Sequence, residues 1–419
     1  MKKSLFVLFA SAAFAAGTTL ATAADVPSEA TVLKVTGSVQ VQLPGQSGPV
    51  ALNVGDKIPQ GATVITGAGA EAYIQPVTGT VATVQENSTV EVEKLTQTME
   101  GGQMVRANTL LNLKSGNLVS TLDPAKRSLN NYGVRTPKGV AAARGTSYSV
   151  TVSNDQGFTV SATADTVTFT APGGTTYSIS AGMVTVSGGT PIPLSQAVAS
   201  IPGFAAVVTT AVNTVANVVQ NNIGGISSSS ASNLMAQVTG VASTAVPSQA
   251  ATFTSQAVAA VNSSTSAVSS TDAGAATAAV TTAAVNAVVA SGGSNAQVAA
   301  VATAATTAAP SQAVTVASAA ATAAPQAAAQ VASAVVTVAG NSSAGAVTAV
   351  VQQAAPTATG VAEAVATATN QTVEQVQASA TAASTTPAVQ QATQATTQGN
   401  TTVQTVVTPV DTSIVSPSQ

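Results

Sequence analysis

The sequence predicts a mainly β N-terminal domain, an antiparallel sandwich, roll or solenoid-like fold. Ala/Val-rich short α-helical repeats and a disordered C-terminus are expected to follow. Three observations carry this. Apolar residues alternate with polar ones from about residue 30 to residue 194. Beyond that, punctuating residues recur at a spacing of about 15. Positive charge is confined to one side of the chain: all 12 Lys and Arg lie at or before Arg144. The C-terminal half therefore has no cation with which to hold a nucleic acid or an acidic lipid surface.

The first element is a leader. Lys2 and Lys3 precede the apolar run Leu5-Phe6-Val7-Leu8-Phe9-Ala10, and Ala21-Thr22-Ala23 matches a small-x-small cleavage site. That order of charge, short apolar run and small residues is a secretory signal peptide, residues 1–23. The run is shorter than the roughly 20 apolar residues of a membrane span. The chain is thus expected to be exported, periplasmic or extracellular, with no membrane span after signal cleavage. An uncleaved anchor is the alternative.

The β domain is expected over residues 24–194. Val39, Val41 and Leu43 alternate with Gln40 and Gln42, Val90 and Val92 with Glu91 and Glu93, and Tyr148, Val150 and Val152 with Ser149 and Thr151. Val167-Thr168-Phe169, Tyr177-Ser178-Ile179 and Val184-Thr185-Val186 repeat the pattern. Turn residues separate the runs: Pro44-Gly45, Gly55-Asp56, Thr78-Gly79, Pro172-Gly173-Gly174 and Gly188-Gly189. Short strands at close spacing with no intervening helices form sandwiches, barrels or rolls.

The most punctuated stretch runs from Val134 to Val150. Thr136-Pro137 ends a strand, because Pro lacks a ladder donor, and Lys138-Gly139 turns. Gly145 permits a bend or a close approach. Arg144 is expected to pair with a carboxylate or with loop carbonyls, which its planar fork suits. Thr136-Pro137-x-Gly139 followed by Arg144-Gly145-Thr146 resembles the signature of the FecR domain family, named for an iron-dicitrate sensor and sigma-factor regulator. Val54-Gly55-Asp56, Asn87-Ser88-Thr89-Val90 and Asp165-Thr166-Val167-Thr168-Phe169 extend the likeness over about residues 31 to 193. The resemblance implies a bacterial, envelope-located β domain that senses or binds. Two departures stand out. Thr78-Gly79-Thr80 replaces the family's frequent Asp-Gly-Ser turn. The family's regulators also place an anti-sigma helix region and a membrane span before this domain, where this chain has a signal peptide. The sigma-factor role is therefore not carried over. Gly55, Asp56, Thr136, Pro137, Gly139, Arg144, Gly145 and Thr146 are read as structural signature residues.

Chemistry is scarce. The chain has no Cys and no His. Disulfides, thiolate nucleophiles and a Ser-His-Asp triad are excluded, and the commonest zinc ligands are missing. No catalytic residue, cofactor or metal ligand is assigned, and the chain is read as no enzyme. Arg144 could hold an anion, but a strand staple is the blander reading. Lys126-Arg127 with Arg135 and Lys138 reads as a solvated loop rather than a basic patch. Glu91 and Glu93 share one strand face, as a solvent face ordinarily does.

The tail, residues 195–397, starts with an amphipathic helix. Phe204, Val207, Val208, Ala211, Val212, Val215, Val218 and Val219 recur at helical spacing. Asn295, Pro310, Pro325, Asn341, Pro356, Gln371 and Thr386 then mark units of 15, 15, 16, 15, 15 and 15 residues. Such a unit fits a short helix plus a turn, marginal alone and stable only in a stack. A flexible Ala/Thr-rich stalk is the competing reading, because apolar area per residue is small. Residues 398–419 read as a disordered end. The function expected is a non-catalytic envelope module that binds another envelope protein or a small ligand, with possible self-association through the tail and no nucleic acid. The alternatives are a FecR-like signalling regulator and a secreted structural or adhesive protein acting through its tail.

Overall fold

The computed structural model describes residues 24–153 and 157–404. The leader, residues 1–23, and residues 405–419 lie outside it. Strands come first. They are β1 (Ala24–Pro27), β2 (Glu29–Thr36), β3 (Val39–Gln42), β4 (Val50–Ala51), β5 (Lys57–Pro59) and β6 (Thr63–Thr66). Next are β7 (Glu71–Gln75), β8 (Thr80–Val84), β9 (Thr89–Glu100) and the long β10 (Gln103–Leu122). After a 3-10 turn at Pro124–Lys126 come β11 (Asn130–Thr136), β12 (Gly139–Ala143), β13 (Ser147–Val152), β14 (Phe158–Ala162), β15 (Thr166–Thr170), β16 (Thr176–Ser180), β17 (Met183–Val186) and β18 (Ile192–Pro193).

The strands form two open sheets that share β10 and pack face to face. The first sheet runs β4-β3-β6-β9-β10-β11-β12-β15-β16, with β1 on the far part of β9. The second runs β5-β2-β7-β8-β10-β13-β14-β17-β18. β10 leaves the first sheet after Ser115 and enters the second at Gly116. All pairs are antiparallel except β10 with β11. That exception departs from the purely antiparallel expectation, and it arises because the chain crosses over through the Pro124–Lys126 turn before pairing again. Alternation does the sorting: Leu111, Leu113, Val134 and Phe169 of the first sheet meet Val84, Leu118, Tyr148 and Val160 of the second.

Helices follow: α1 (Leu194–Ser200), α2 (Phe204–Gln220), α3 (Ser228–Ala245), α4 (Ala250–Asn262), α5 (Ala273–Ala290), α6 (Asn295–Ala308), α7 (Ala313–Ala323), α8 (Ala328–Ala339), α9 (Ala344–Ala354), α10 (Val361–Thr369), α11 (Val373–Ala383) and α12 (Pro387–Gln404). Each helix packs on the one two places along. α3, α5, α7, α9 and α11 make one row, and α2, α4, α6, α8 and α10 the other. α12 runs back along α5, α7 and α9. The helices break where the sequence is punctuated. Pro310 and Pro325 open 3-10 turns before α7 and α8, Asn341 does so before α9, and Thr372 caps α11. Residues 398–404, read as the start of a disordered end, are the last turns of α12.

Threonine is a poor helix former, yet these helices are rich in it. Its hydroxyl turns back to the carbonyl four residues earlier, as Thr254 does to Ala250 (2.7 Å), Thr306 to Ala302 (2.8 Å) and Thr381 to Gln377 (2.9 Å). The methyl is then free to pack like a small apolar group. Val331, Val335, Val347, Val350 and Val351 are fully or nearly fully buried. α5 is long and apolar enough to cross a membrane by length and composition. It is also the centre of the stack, with α3, α4, α7 and α12 against it, and most of it is buried there.

Candidate functional site

The signature residues form turns. Gly55 has φ +91° and donates to the Val32 carbonyl (2.9 Å), while the Asp56 carboxylate accepts from the Asn53 N–H (2.8 Å). Together they shape the turn before β5. The Thr136 hydroxyl donates to the Gly139 carbonyl (3.2 Å) and accepts from the Lys138 N–H (3.3 Å), closing the β11–β12 hairpin around exposed Pro137. Gly139 packs so tightly that a Cβ there would meet the Thr170 carbonyl oxygen at 2.4 Å.

Arg144 corrects the sequence expectation. Among the described residues it forms no ion pair, and its Nε is buried without a hydrogen-bond partner. Its neighbour shapes the corner instead. Gly145 has φ +84°, and a Cβ on it would meet Pro124 Cα at 2.5 Å. The chain here is fixed by backbone contact with the 3-10 turn, not by the guanidinium. The Thr146 carbonyl accepts from the Leu122 N–H (2.8 Å), which fixes the same corner from the other side. Three other cations are separately paired: Arg127 with Asp165 (3.4 Å), Arg135 with Glu93 (2.7 Å) and Lys114 with Glu91 (2.9 Å). Arg127 and Arg135 are thus each matched to a carboxylate of their own, and the two glutamates serve as ion-pair partners on an outer face.

Between Leu122 and Pro124 lies Asp123, which is not one of the signature residues. It is fully buried. Its Oδ1 accepts from the Ala125 N–H (2.9 Å) and its Oδ2 from the Ser227 N–H (3.0 Å), with Ser227 Oγ 3.3 Å from Oδ1. Ser227 is the N-cap of α3, so the carboxylate sits at the positive end of that helix. A buried carboxylate is costly unless its oxygens are hydrogen-bonded, and here donors from both halves of the chain supply those bonds. The Asp-Pro step at a strand end is the signal that could have found it. The adjoining links belong to the same junction: the Gly79 N–H and Gln75 Nε2 both donate to the Gly224 carbonyl (2.9 and 2.8 Å). Gln85 Nε2 donates to Thr214 (3.1 Å), and the Asp165 N–H to Gln237 Oε1 (3.0 Å). The outer face of the second sheet, through Tyr73, Val81 and Val184, shares one core with the helices.

Beside this junction lies a cleft of about 470 Å³ between the β16–β17 turn, the end of β18, α1, α3, α5 and α12. Gly182, Leu194, Gly240, Val241, Ala287 and Val403 line it, and Gln237, Thr244 and Asn286 add the polar groups. No lining side chain is titratable. Such a cleft can bind but supplies no acid or base. No group of three or more potential metal ligands occurs among the described residues.

Residues 62–168, from the approach to β6 into β15, match the family model described as FecR protein. The β half carries a FecR domain. The match contains the Thr136 to Thr146 signature and Asp123, so the corner that anchors the helices is part of the FecR domain itself. No curated protein matches the sequence. Two crystal structures of a candidate anti-sigma factor from Parabacteroides distasonis ATCC 8503, at 1.65 and 2.50 Å, resemble it at 13% identity and a TM-score of 0.25. The alignment covers 31% of this chain and 57% of that chain, so this chain spans a little over half of that relative's length.

Proposed function

We propose that this protein is a FecR-type signalling regulator of the bacterial cell envelope that works by binding other proteins. The FecR domain over residues 62–168 is the observation that carries this reading. Non-catalytic action is supported by the chain's lack of His and Cys and by a cleft lined without a titratable side chain. The leader-like residues 1–23 support export. In this reading the FecR domain and the helical rows act as one unit coupled through Asp123 and Ser227, so a partner bound to either part is felt by the other. The test compares envelope extracts captured on the full chain and on its Asp123→Ala variant, alongside transcript profiles of a strain lacking the gene. A specific envelope partner, weakened by the variant, together with a changed set of transcripts is expected. Unchanged transcription in every condition in which the protein is made would sink the regulator reading.

The regular helical rows favour a second reading, an exported binding module without a transcriptional output. Partner capture with unaltered transcripts is the outcome that selects it.

A further inference from the structure

The edges of the two sheets are not alike. An open edge is a row of unpaired N–H and C=O groups, and proteins blunt it with short strands, charge or proline. Four of the five outer strands follow that rule. β1 carries Asp25 and Pro27, β4 has two residues, β5 carries Lys57 and Pro59, and β18 has two residues, one of them Pro193. The fifth, β16, has five residues, Thr176-Tyr177-Ser178-Ile179-Ser180, with neither charge nor proline. Among the described strands it pairs only with β15.

The orientation of its free groups follows from the hairpin. The Ala171 N–H donates to the Thr175 carbonyl (2.9 Å), which makes that pair a hydrogen-bonded one. Antiparallel pairs alternate, so Phe169 with Tyr177 and Val167 with Ile179 bond inward. Thr176, Ser178 and Ser180 direct their N–H and C=O groups to the open edge. Their side chains are exposed, while Ile179 is fully buried and Tyr177 half-buried.

We propose that this edge joins two copies of the chain, β16 against β16 across a two-fold axis through Ser178, making the first sheet continuous through a dimer. The strand is self-complementary in that arrangement. Thr176 faces Ser180 of the other copy, Ser178 faces its equivalent, and Tyr177 faces Ile179, extending the core side of the sheet. Each facing pair at positions 176, 178 and 180 exchanges two backbone hydrogen bonds. No like charges meet, because the strand carries none. A foreign strand would satisfy the same backbone groups, but this near-palindromic order of side chains matches the strand's own copy.

Two measurements on the full chain test this. Light scattering is expected to give twice the mass of one chain, falling to one on Ser178→Lys, which sets two ammonium groups against each other at the axis. The circular dichroism spectrum is expected to stay unchanged, since the side chain is exposed. Oxidation of Ser178→Cys is expected to link the dimer covalently, because facing Cα atoms lie about 5.5 Å apart, within disulfide reach. Thr176→Cys alone is not, because its equivalent is displaced along the strand. A monomer at the highest attainable concentration overturns the proposal, even if a strand of another protein is found on β16. So does a dimer that survives Ser178→Lys unchanged, or equal cross-linking at both positions.

Discussion

Arg144 and Asp123 exchange the roles that their side chains suggest. The arginine looks like the staple of its segment, but its Nε is buried and unpartnered, whereas the aspartate holds the two halves together. Arg144→Met is therefore expected to cost less than about 1 kcal/mol in urea unfolding, since a buried polar atom without a partner contributes no bond to lose. Asp123→Ala removes the acceptor of two backbone N–H groups and a nearby hydroxyl. A cost of about 3 kcal/mol is expected, from bonds to a charged group worth roughly 1.5–3 kcal/mol each, with faster proteolysis between α2 and α3 as a second readout. Gly145→Ala should cost at least about 2 kcal/mol, from the left-handed backbone plus the clash with Pro124. The turn roles of Thr136, Gly139 and Gly145 were legible in the sequence because Pro and Gly restrict or free the backbone locally. The role of Asp123 was not, because the Asp-Pro step marks only a local turn, while its partner Ser227 is more than 100 residues away.

At the level of elements, the strands were legible from alternation and the helices from spacing. The sequence left the tail open between a stack and a stalk because Ala and Val give little area per residue. What decides for the stack is repetition of small gains. Val350 is fully buried between neighbours, and Val350→Ala is expected to cost about 2 kcal/mol, from two buried methyl groups at about 0.8 kcal/mol each and the cavity they leave. Asn341 bridges between units, its Nδ2 donating to the Thr369 carbonyl (3.1 Å), as Asn295 does to the Gln326 carbonyl (3.0 Å). Asn341→Ala should cost about 1 kcal/mol by thermal or urea unfolding. The parallel pairing of β10 with β11, and the passage of β10 from one sheet to the other, were not legible. Both depend on where the Pro124 turn redirects the chain, not on the pattern within any strand.

For the whole molecule, pH enters from both ends. Burial lifts the hydroxyls of Tyr132 and Tyr148 above their ordinary 10.0, and burial followed by the nearby Glu71 does so for Tyr73. A raised folded-state value means this contribution to stability is complete below pH 10 and is lost as pH rises through the folded value. Phenolate absorbance from these three tyrosines is expected to appear together with loss of circular dichroism, not before it. Asp272 is the opposite case. Hydrogen bonds from Ser228 (2.6 Å) and then Ser269 (2.7 Å) hold its carboxyl below the ordinary 3.8. Its small, solvent-screened contribution is present above that value and is lost as pH falls through the lower folded one. Asp272→Asn should narrow the difference in stability between neutral and strongly acidic solution.

The two rows of helices impose a counting rule. Because each unit rests on the one two places away, removing a single unit moves every later helix to the opposite row and presents α12 to the wrong partners. Removing two adjacent units shortens both rows equally and keeps every later helix on its own side. Deletion of residues 325–355 is therefore expected to yield a folded, shorter protein by circular dichroism and unfolding, while deletion of residues 325–340 is not. The length of this array can change, in the laboratory or over generations, only in even steps.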